Sequence, residues 1–296
     1  MHKPALLNEV LEIFNPQPGE VYVDATVNGG GHARAIAERV GEKGLVLGID
    51  WDCDLIEELR VKNLELRNKN IKLVCDNYAN LGDIIREHNL DAPCGILFDL
   101  GFSSHHLEES GRGFSFLKRE PLDMRYDVKF NGLTAEKIIN TWECAAIEDI
   151  LRLYGEERFA SQIAQGIERA RRQHRIQSTA EFVEIISRSV PPGYRYGRIH
   201  FATRTFQALR IAVNHELENL ENVLPVARDA IRTGGKIVVI SFHSLEDRIV
   251  KEFFKKESKS GTLKILTKKP IKASWIEIME NPRARSAKLR AAIKAY

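Results

Sequence analysis

The 296-residue sequence lacks any apolar run long enough to cross a bilayer, and its opening residues, MHKPALLNEV, hold no apolar signal core. Both absences predict a soluble, cytoplasmic protein. Cysteine is scarce: Cys53, Cys75, Cys94 and Cys144 form no CxxC pair and no metal-ligand spacing, which predicts reduced thiols, no disulfide and no metal. No G-x-S-x-G elbow surrounds a serine, so a Ser-His-Asp hydrolase assembled from Ser244, His243 and Asp247 would lack its turn. Internal repeats and low-complexity tracts are absent. A large excess of one charge is absent too: 44 Lys and Arg against 41 Asp and Glu leave +3, which permits a nucleic-acid partner without demanding one. What remains is a chain long enough for two domains and, at 43% hydrophobic residues, able to bury a sizeable core.

The segment VYVDATVNGGGH at 21–32, followed by GLVLGID at 44–50, reads as strand, glycine-rich turn, helix and a second strand ending in an acid. Gly29, Gly30 and Gly31 allow positive φ and close approach of backbone to a ligand, and Asp50 suits the two hydroxyls of a ribose. The glycines do not follow G-x-G-x-x-G, which disfavours a pyrophosphate grip and an NAD-dependent dehydrogenase. Three consecutive glycines after a strand ending in Asp24 resemble the turn of S-adenosylmethionine-dependent methyltransferases. A plain strand-to-helix turn with an empty crevice is the alternative.

Further strands are expected at IKLVCD near 71–76, GILFDL at 95–100 and KIVVIS at 236–241, with helical patterns between the first four. Roughly 130 residues separate the fourth strand from the fifth, far more than one crossover helix needs. The expected fold class is α/β, a Rossmann-like class I methyltransferase sheet with an inserted all-α domain. Residues 1–113 and 214–296 would form the cofactor-binding domain and 114–213 the helical insert. Within the insert, Ile147, Ile150, Leu151 and Tyr154 make one stripe that Gly155 stops, and Phe159, Ile163, Ile167 and Ala170 make a second. Ser178 with Glu181 reads as a capping box. The segment 216–232 returns the chain to the sheet, and TLKILTKK and SAKLRAAIKAY supply the last two strands, with Lys288 and Arg290 alternating on an edge.

Polar clusters leave the carboxyl ends of two neighbouring strands, DLGFSS at 99–104 and SFHSLEDR at 241–248. Ligands bind there in an open α/β sheet, so Asp99, Ser103, Ser104, His243, Ser244, Glu246 and Asp247 are expected to line one crevice with Gly30 and Asp50. For Asp99 the competing role is a helix cap, and for His243 a merely hydrogen-bonded histidine.

The motifs HKPALLNEV at 2–10, DATVNGGGH at 24–32, DLGFSS at 99–104, RGFSF at 112–116 and PLDMRYD at 121–127 resemble those of the MraW/RsmH family. RIHFATRTFQALRIAVNHEL at 198–217, ISFHSLEDR at 240–248 and NPRARSAKLR at 281–290 continue the resemblance in order, over essentially the whole chain. That family comprises bacterial 16S ribosomal RNA (cytosine-N4)-methyltransferases. The resemblance implies S-adenosyl-L-methionine as cofactor and, as partner, 16S rRNA in the small subunit or its assembly intermediate. It also implies a cofactor set of Gly30, Gly31, His32, Asp50, Tyr78, Asp99 and His106, the last standing where the family often has Gln. Phe201 in place of a more usual proline and Lys118-Arg119-Glu120 before PLDMR are departures outside that set.

Under that reading Asp99 and the Ser103 and Ser104 hydroxyls are the catalytic candidates for polarising the cytosine amine, with His243 or Asp247 as the alternative proton acceptors. The S/D-P-P-aromatic motif common in N4 chemistry on DNA is absent. Phe102, Phe114 and Phe116 are possible platforms for an unstacked base, or ordinary packing. RNA contacts are expected from the run Arg169, Arg171, Arg172, His174 and Arg175 and from Tyr194-Arg195-Tyr196-Gly197-Arg198, with Arg171, Arg172, Arg195 and Arg198 foremost. A methyltransferase of another substrate class and a non-catalytic RNA-binding assembly factor remain open. The large insert with its basic-aromatic segments favours a macromolecular substrate over a small-molecule or protein one, and the intact cofactor crevice argues against the non-catalytic reading.

Overall fold

The computed structural model describes residues 3–61, 69–101, 104–129 and 131–295. The chain divides into two compact units, Met1–Ser103 with Leu217–Tyr296, and Ser104–Glu216.

The first unit is built on one sheet whose strands are β1 (Val21–Asp24), β2 (Leu45–Asp50), β3 (Ile71–Cys75), β4 (Gly95–Asp99), β5 (Lys236–Ser241), β6 (Leu263–Ile265), β7 (Ile271–Lys272) and β8 (Lys288–Lys294). Their order is β3-β2-β1-β4-β5-β8-β6, with β7 also paired to β8. β1 to β5 run parallel and β8 is antiparallel to β5. The central strands are unbroken apolar runs because helices cover both faces of a parallel sheet. On one face α1 (Leu7–Phe14), α2 (Gly31–Val40) and α3 (Cys53–Val61) bury Val10, Leu11, Phe14, Ile36, Val40 and Ile56 against Val46, Leu73 and Leu97. On the other, α4 (Leu81–Glu87) lays Leu81 and Ile84 over Val23, Leu47, Ile49 and Phe98.

The regular elements described in the second unit are all helices: α5 (Ser104–Glu108), α6 (Ala135–Thr141), α7 (Cys144–Gly155), α8 (Ala160–Arg171), α9 (Thr179–Ser189), α10 (Pro192–Arg195) and α11 (Thr203–Asn214). The expected stripes bury Ile147, Ile150 and Leu151 on α7 and Ile163 and Ile167 on α8. Ser178 and Glu181 close a capping box at α9. The stop of α7 differs from its expectation. Glu156, not Gly155, takes the left-handed conformation at φ 47°, while Gly155 is small because α11 passes so close that a Cβ would lie 2.7 Å from the Arg204 carbonyl.

The chain then returns through α12 (Glu216–Ala230), α13 (Ser244–Lys259) and α14 (Trp275–Glu280). Leu220, Val223 and Leu224 of α12 and Val250 and Phe254 of α13 complete the second face of the sheet. Two sequence expectations are corrected in this unit. β8 is not an edge: it lies between β5 and β6, and Arg290 is buried because Asp247 on α13 neutralises it through Nε–Oδ1 at 2.7 Å. Nor are all four thiols free, since Cys53 and Cys75 form a disulfide. β3 pairs with β2 so that Cys75 sits opposite Asp50, and α3 begins three residues beyond that acid, which brings the two Cα atoms to 5.2 Å. Among the described residues no helix is long and apolar enough to cross a membrane.

Candidate functional site

The turn from β1 into α2 is shaped by two left-handed residues, Asn28 at φ 48° and Gly30 at φ 74°; of the three glycines, only Gly30 takes positive φ. Gly31 opens α2 and needs its smallness against Pro4, whose ring would be 2.8 Å from a Cβ. Asn28 laces the neighbouring strand ends together. Its backbone N–H donates to Asp50 Oδ2 at 2.9 Å, and its side-chain amide donates to the Thr26 and Asp99 carbonyls at 3.0 and 3.1 Å. The Asp99 N–H in turn donates to Thr26 Oγ1 at 2.6 Å, and the Asp52 N–H donates to Asp50 Oδ1 at 3.0 Å.

Three buried acids end adjacent parallel strands: Asp24 on β1, Asp50 on β2 and Asp99 on β4. Burial raises Asp24 to about 7, with the Asp99 and Asp50 charges adding to the rise against the pull of His32. Burial likewise raises Asp50 to about 6, against the stabilising N–H groups of Asp52 and Asn28. His32, on the first turn of α2, has Nε2 3.5 Å from Asp99 Oδ2, an ion-pair distance rather than a hydrogen bond. Burial opposes its protonation, but the Asp99 and Asp24 carboxylates outweigh burial and hold the imidazole above its usual range. Asp24 Oδ2 and Asp99 Oδ1 are buried without a hydrogen-bond partner. An orphaned carboxylate oxygen in such a place is costly unless a ligand completes it. Tyr78, half-buried at the start of the turn after β3, stands edge-on to Phe98 with ring centroids 5.9 Å apart.

β5 delivers His243 and Asp247 beyond its carboxyl end, but each is given other work. His243 is the N-cap of α13, its side chain accepting from the Glu246 N–H while Glu246 accepts from the Phe242 N–H at 2.8 Å and the His243 N–H at 3.3 Å. Asp247 faces Arg290 and Lys288, which hold its carboxyl below the ordinary range against the opposing effect of burial. A Ser244–His243–Asp247 relay is therefore not assembled, and a carboxylate so paired is a poor proton acceptor, which corrects its place among the candidates.

Other candidates belong to the second unit or lie outside the described residues. Phe102 and Ser103 are outside, and Ser104 is known only as the first residue of α5. His106 is buried edge-on to Phe114 and Tyr126, at 5.1 and 4.9 Å, and those two rings stack on each other at 5.3 Å. Phe116 stacks on His200 at 4.5 Å. Both phenylalanines are thus engaged in packing. Arg171 is built into the unit, donating to the Ile139 and Trp142 carbonyls at 3.0 and 2.6 Å and pairing with Glu168. Arg172 is exposed and shares Glu168 at 3.1 Å, Arg195 is half-buried with a donor to the Val190 carbonyl, and Arg198 is exposed beside an 87% exposed Tyr196.

The sequence reading missed Asp24 and Asn28 as members of the site. The signal for Asp24 was its place at a strand end, the same that singled out Asp50 and Asp99. It also missed that the motifs at 112–127 and 198–217 meet in a buried polar knot: Asn214 accepts from the Tyr126 N–H at 2.9 Å and donates to the Met124 carbonyl at 2.7 Å, while Arg210 grips Glu216 through two 2.8 Å bonds.

Five parallel strands with a reversed strand placed before the last, and a glycine turn and strand-end acids at the carboxyl edge, define a Rossmann-like class I methyltransferase fold. The chain belongs to the MraW methylase family, whose model matches residues 1–295. It is 45% identical to a ribosomal RNA small subunit methyltransferase H of Geobacter sulfurreducens, covering 99% of this chain and 98% of that one. It is 44% identical to the protein of the same name from Heliobacterium modesticaldum, with the same coverage. An rRNA methylase of Streptococcus thermophilus of solved structure aligns over 100% of this chain and 99% of its own at 9% identity and a TM-score of 0.48, a likeness too slight to bear on function.

Proposed function

We propose that the protein transfers a methyl group from S-adenosylmethionine to N4 of a cytidine in the decoding region of 16S rRNA, within the small subunit or its assembly intermediate. The observation that carries the cofactor reading is the pair of orphaned carboxylate oxygens, Asp24 Oδ2 and Asp99 Oδ1, buried beside a glycine turn at the carboxyl edge of a parallel sheet. Acids in that position fit a cation-bearing nucleoside: Asp24 and Asp99 toward its positive charges, Asp50 toward its ribose and Tyr78 toward its adenine. Gly30, Gly31 and His32 complete the turn, and His106 is the remaining member that the family resemblance proposes. The relatives' names support the rRNA substrate.

When bound, the cofactor supplies a sulfonium methyl that is already electrophilic, so the chain's task is alignment and exclusion of water. Asp99 is held by the Thr26 hydroxyl and the Asn28 amide through its backbone, which fixes the carboxylate while leaving one oxygen to accept from an amine. Accepting from the N4 protons favours the pyramidal nitrogen whose lone pair can attack, because that lone pair is otherwise conjugated with the ring. Asp99 is the hydrogen-bond acceptor this reading favours for polarising the amine, with Ser103 and Ser104 as additional acceptors toward it, and the displaced proton passes to solvent.

The deciding experiment offers labelled S-adenosylmethionine and small ribosomal particles lacking the modification to the protein, then identifies the modified nucleoside by mass analysis. N4-methylated cytidine is expected. Label in another nucleoside would refute the base assignment, label in protein the substrate class, and cofactor binding without transfer the enzymatic reading.

A further inference from the structure

Between β6 and β8 the chain forms β7, the six-residue helix α14 and a 3-10 turn at Pro282–Ser286. The polar side of α14 is fully committed. Ser274 Oγ accepts from the Glu277 N–H at its start, Glu277 accepts from the Leu6 N–H at 2.7 Å, Glu280 pairs with Lys3, and Asn281 donates to the Lys3 carbonyl at 3.0 Å. These bonds pin the helix to the N-terminal segment. No residue of α14 is buried, and while Ile278 is half-covered its other large apolar side chains, Trp275, Ile276 and Met279, stand 74%, 71% and 66% exposed. A tryptophan held rigidly in solvent contributes little to the fold that holds it.

The chain segment that carries this helix is rich in charge of one sign. Residues 263–288 contain seven Lys and Arg and two acids, and those acids are Glu277 and Glu280, already turned to the N-terminal segment. Lys268, Lys269, Lys272 and Arg285 are exposed, and among the described residues none of them has an acidic partner. An exposed aromatic helix on a chain segment rich in unpaired cations matches a polyanion with stacking bases better than it matches an apolar protein face, whose docking would leave the lysines uncompensated.

We propose that this face of the methylase unit is a second RNA-docking surface, with Trp275 as a stacking platform for an unpaired base and Lys268, Lys269 and Lys272 as phosphate contacts. It rests on the reading that the substrate is ribosomal RNA, and it adds to the second unit a contact region on the cofactor-binding unit itself. The surface lies outside the strand-end acids, so it acts on RNA affinity and not on the cofactor.

The test uses the full-length protein with two probes, a fluorescent decoding-region RNA stem-loop and small ribosomal particles lacking the modification. Trp275→Ala should weaken stem-loop binding about fivefold or more, with Trp275→Phe restoring most of it. RNA should quench tryptophan emission in the parent and much less in Trp275→Phe, which keeps Trp51 and Trp142. Lys268→Ala/Lys269→Ala/Lys272→Ala should flatten the slope of log affinity against log salt by about 2, near 0.7 for each phosphate that a lysine had neutralised on single-stranded RNA. In methyl transfer the variants should raise KM and leave kcat and calorimetric S-adenosylmethionine affinity unchanged. Unaltered stem-loop affinity and salt slope in both variants overturn the proposal. So does a loss seen with particles but not with the stem-loop, which would make the face a protein-docking surface. If the parent itself neither binds nor methylates ribosomal RNA, the proposed function fails instead, a result separable from failure of the variants alone.

Discussion

At the residue scale the site is dominated by burial of charge. Asp24 is raised to about 7 in the folded protein, above the value of roughly 4 for an exposed aspartate, because burial penalises its ionised form. The native state therefore holds more protons than the unfolded chain between those values, so this group's contribution to stability falls as pH rises from about 4 to about 7 and is flat above. A cationic ligand reverses the balance by favouring the ionised form. S-adenosylmethionine affinity should rise through pH 7 with release of a proton, measurable by calorimetry in buffers of different ionisation enthalpy, and Asp24→Asn should abolish that proton release. Asp50 has a double role. Asp50→Ala should weaken cofactor binding about tenfold or more and also cost roughly 1–3 kcal/mol of stability, because the Asn28 and Asp52 N–H groups lose their acceptor. Asp50→Asn, whose amide offers one acceptor where the carboxylate offers two, should recover only about half of that stability and still lose the affinity; equal affinity in calorimetric titration would move the ribose site elsewhere. Asp50 and Asp99 were legible in the sequence because each ends an apolar run. Asp24 ends an apolar run too, and what that run does not record is how completely the strands paired on either side of β1 bury it.

At the element scale, what was legible followed from periodicity and what was not followed from pairing. The five parallel strands are apolar runs and the insert's helices are stripes, so both could be read locally. β7 is two residues long and exists because β8 lies beside it. The alternation of Lys288 and Arg290 looked like an exposed edge because the neutralising Asp247 is 43 residues before Arg290 in sequence and comes opposite only through the β5–β8 pairing. The cysteine pair was unreadable for the same reason: 22 residues of separation form no motif, and only the β2–β3 register brings Cys75 beside the start of α3. Closing that loop restricts the unfolded chain by an amount worth about 3 kcal/mol. Cys53→Ser, or reduction of the parent, should lower the free energy of unfolding by that order in denaturant titrations. A parent whose stability is indifferent to reductant would contradict it.

At the scale of the whole molecule, the two units differ in where they place charge. The first unit's acids are buried at strand ends, whereas in the second Arg198 and Arg172 reach solvent and Arg171 does not, because Arg171 holds the Ile139 and Trp142 carbonyls. RNA affinity should therefore separate from cofactor affinity by mutation. Arg172→Ala/Arg198→Ala should weaken binding of decoding-region RNA and flatten the dependence of log affinity on log salt by about 0.7 for each single-stranded phosphate no longer neutralised, with S-adenosylmethionine binding unchanged. Arg195→Ala should do less, since its guanidinium is half-buried and already donates to the Val190 carbonyl. Arg171→Ala supplies the contrast: it should lower the melting temperature by removing two internal hydrogen bonds, and affect RNA only as far as the helices loosen. RNA titrations at several salt concentrations, cofactor titrations and thermal melts on the same variants separate the three behaviours. An unchanged salt slope in the Arg172/Arg198 variant would remove both as phosphate ligands, and a parallel loss of cofactor affinity would mean that the second unit supports the cofactor site rather than reading RNA.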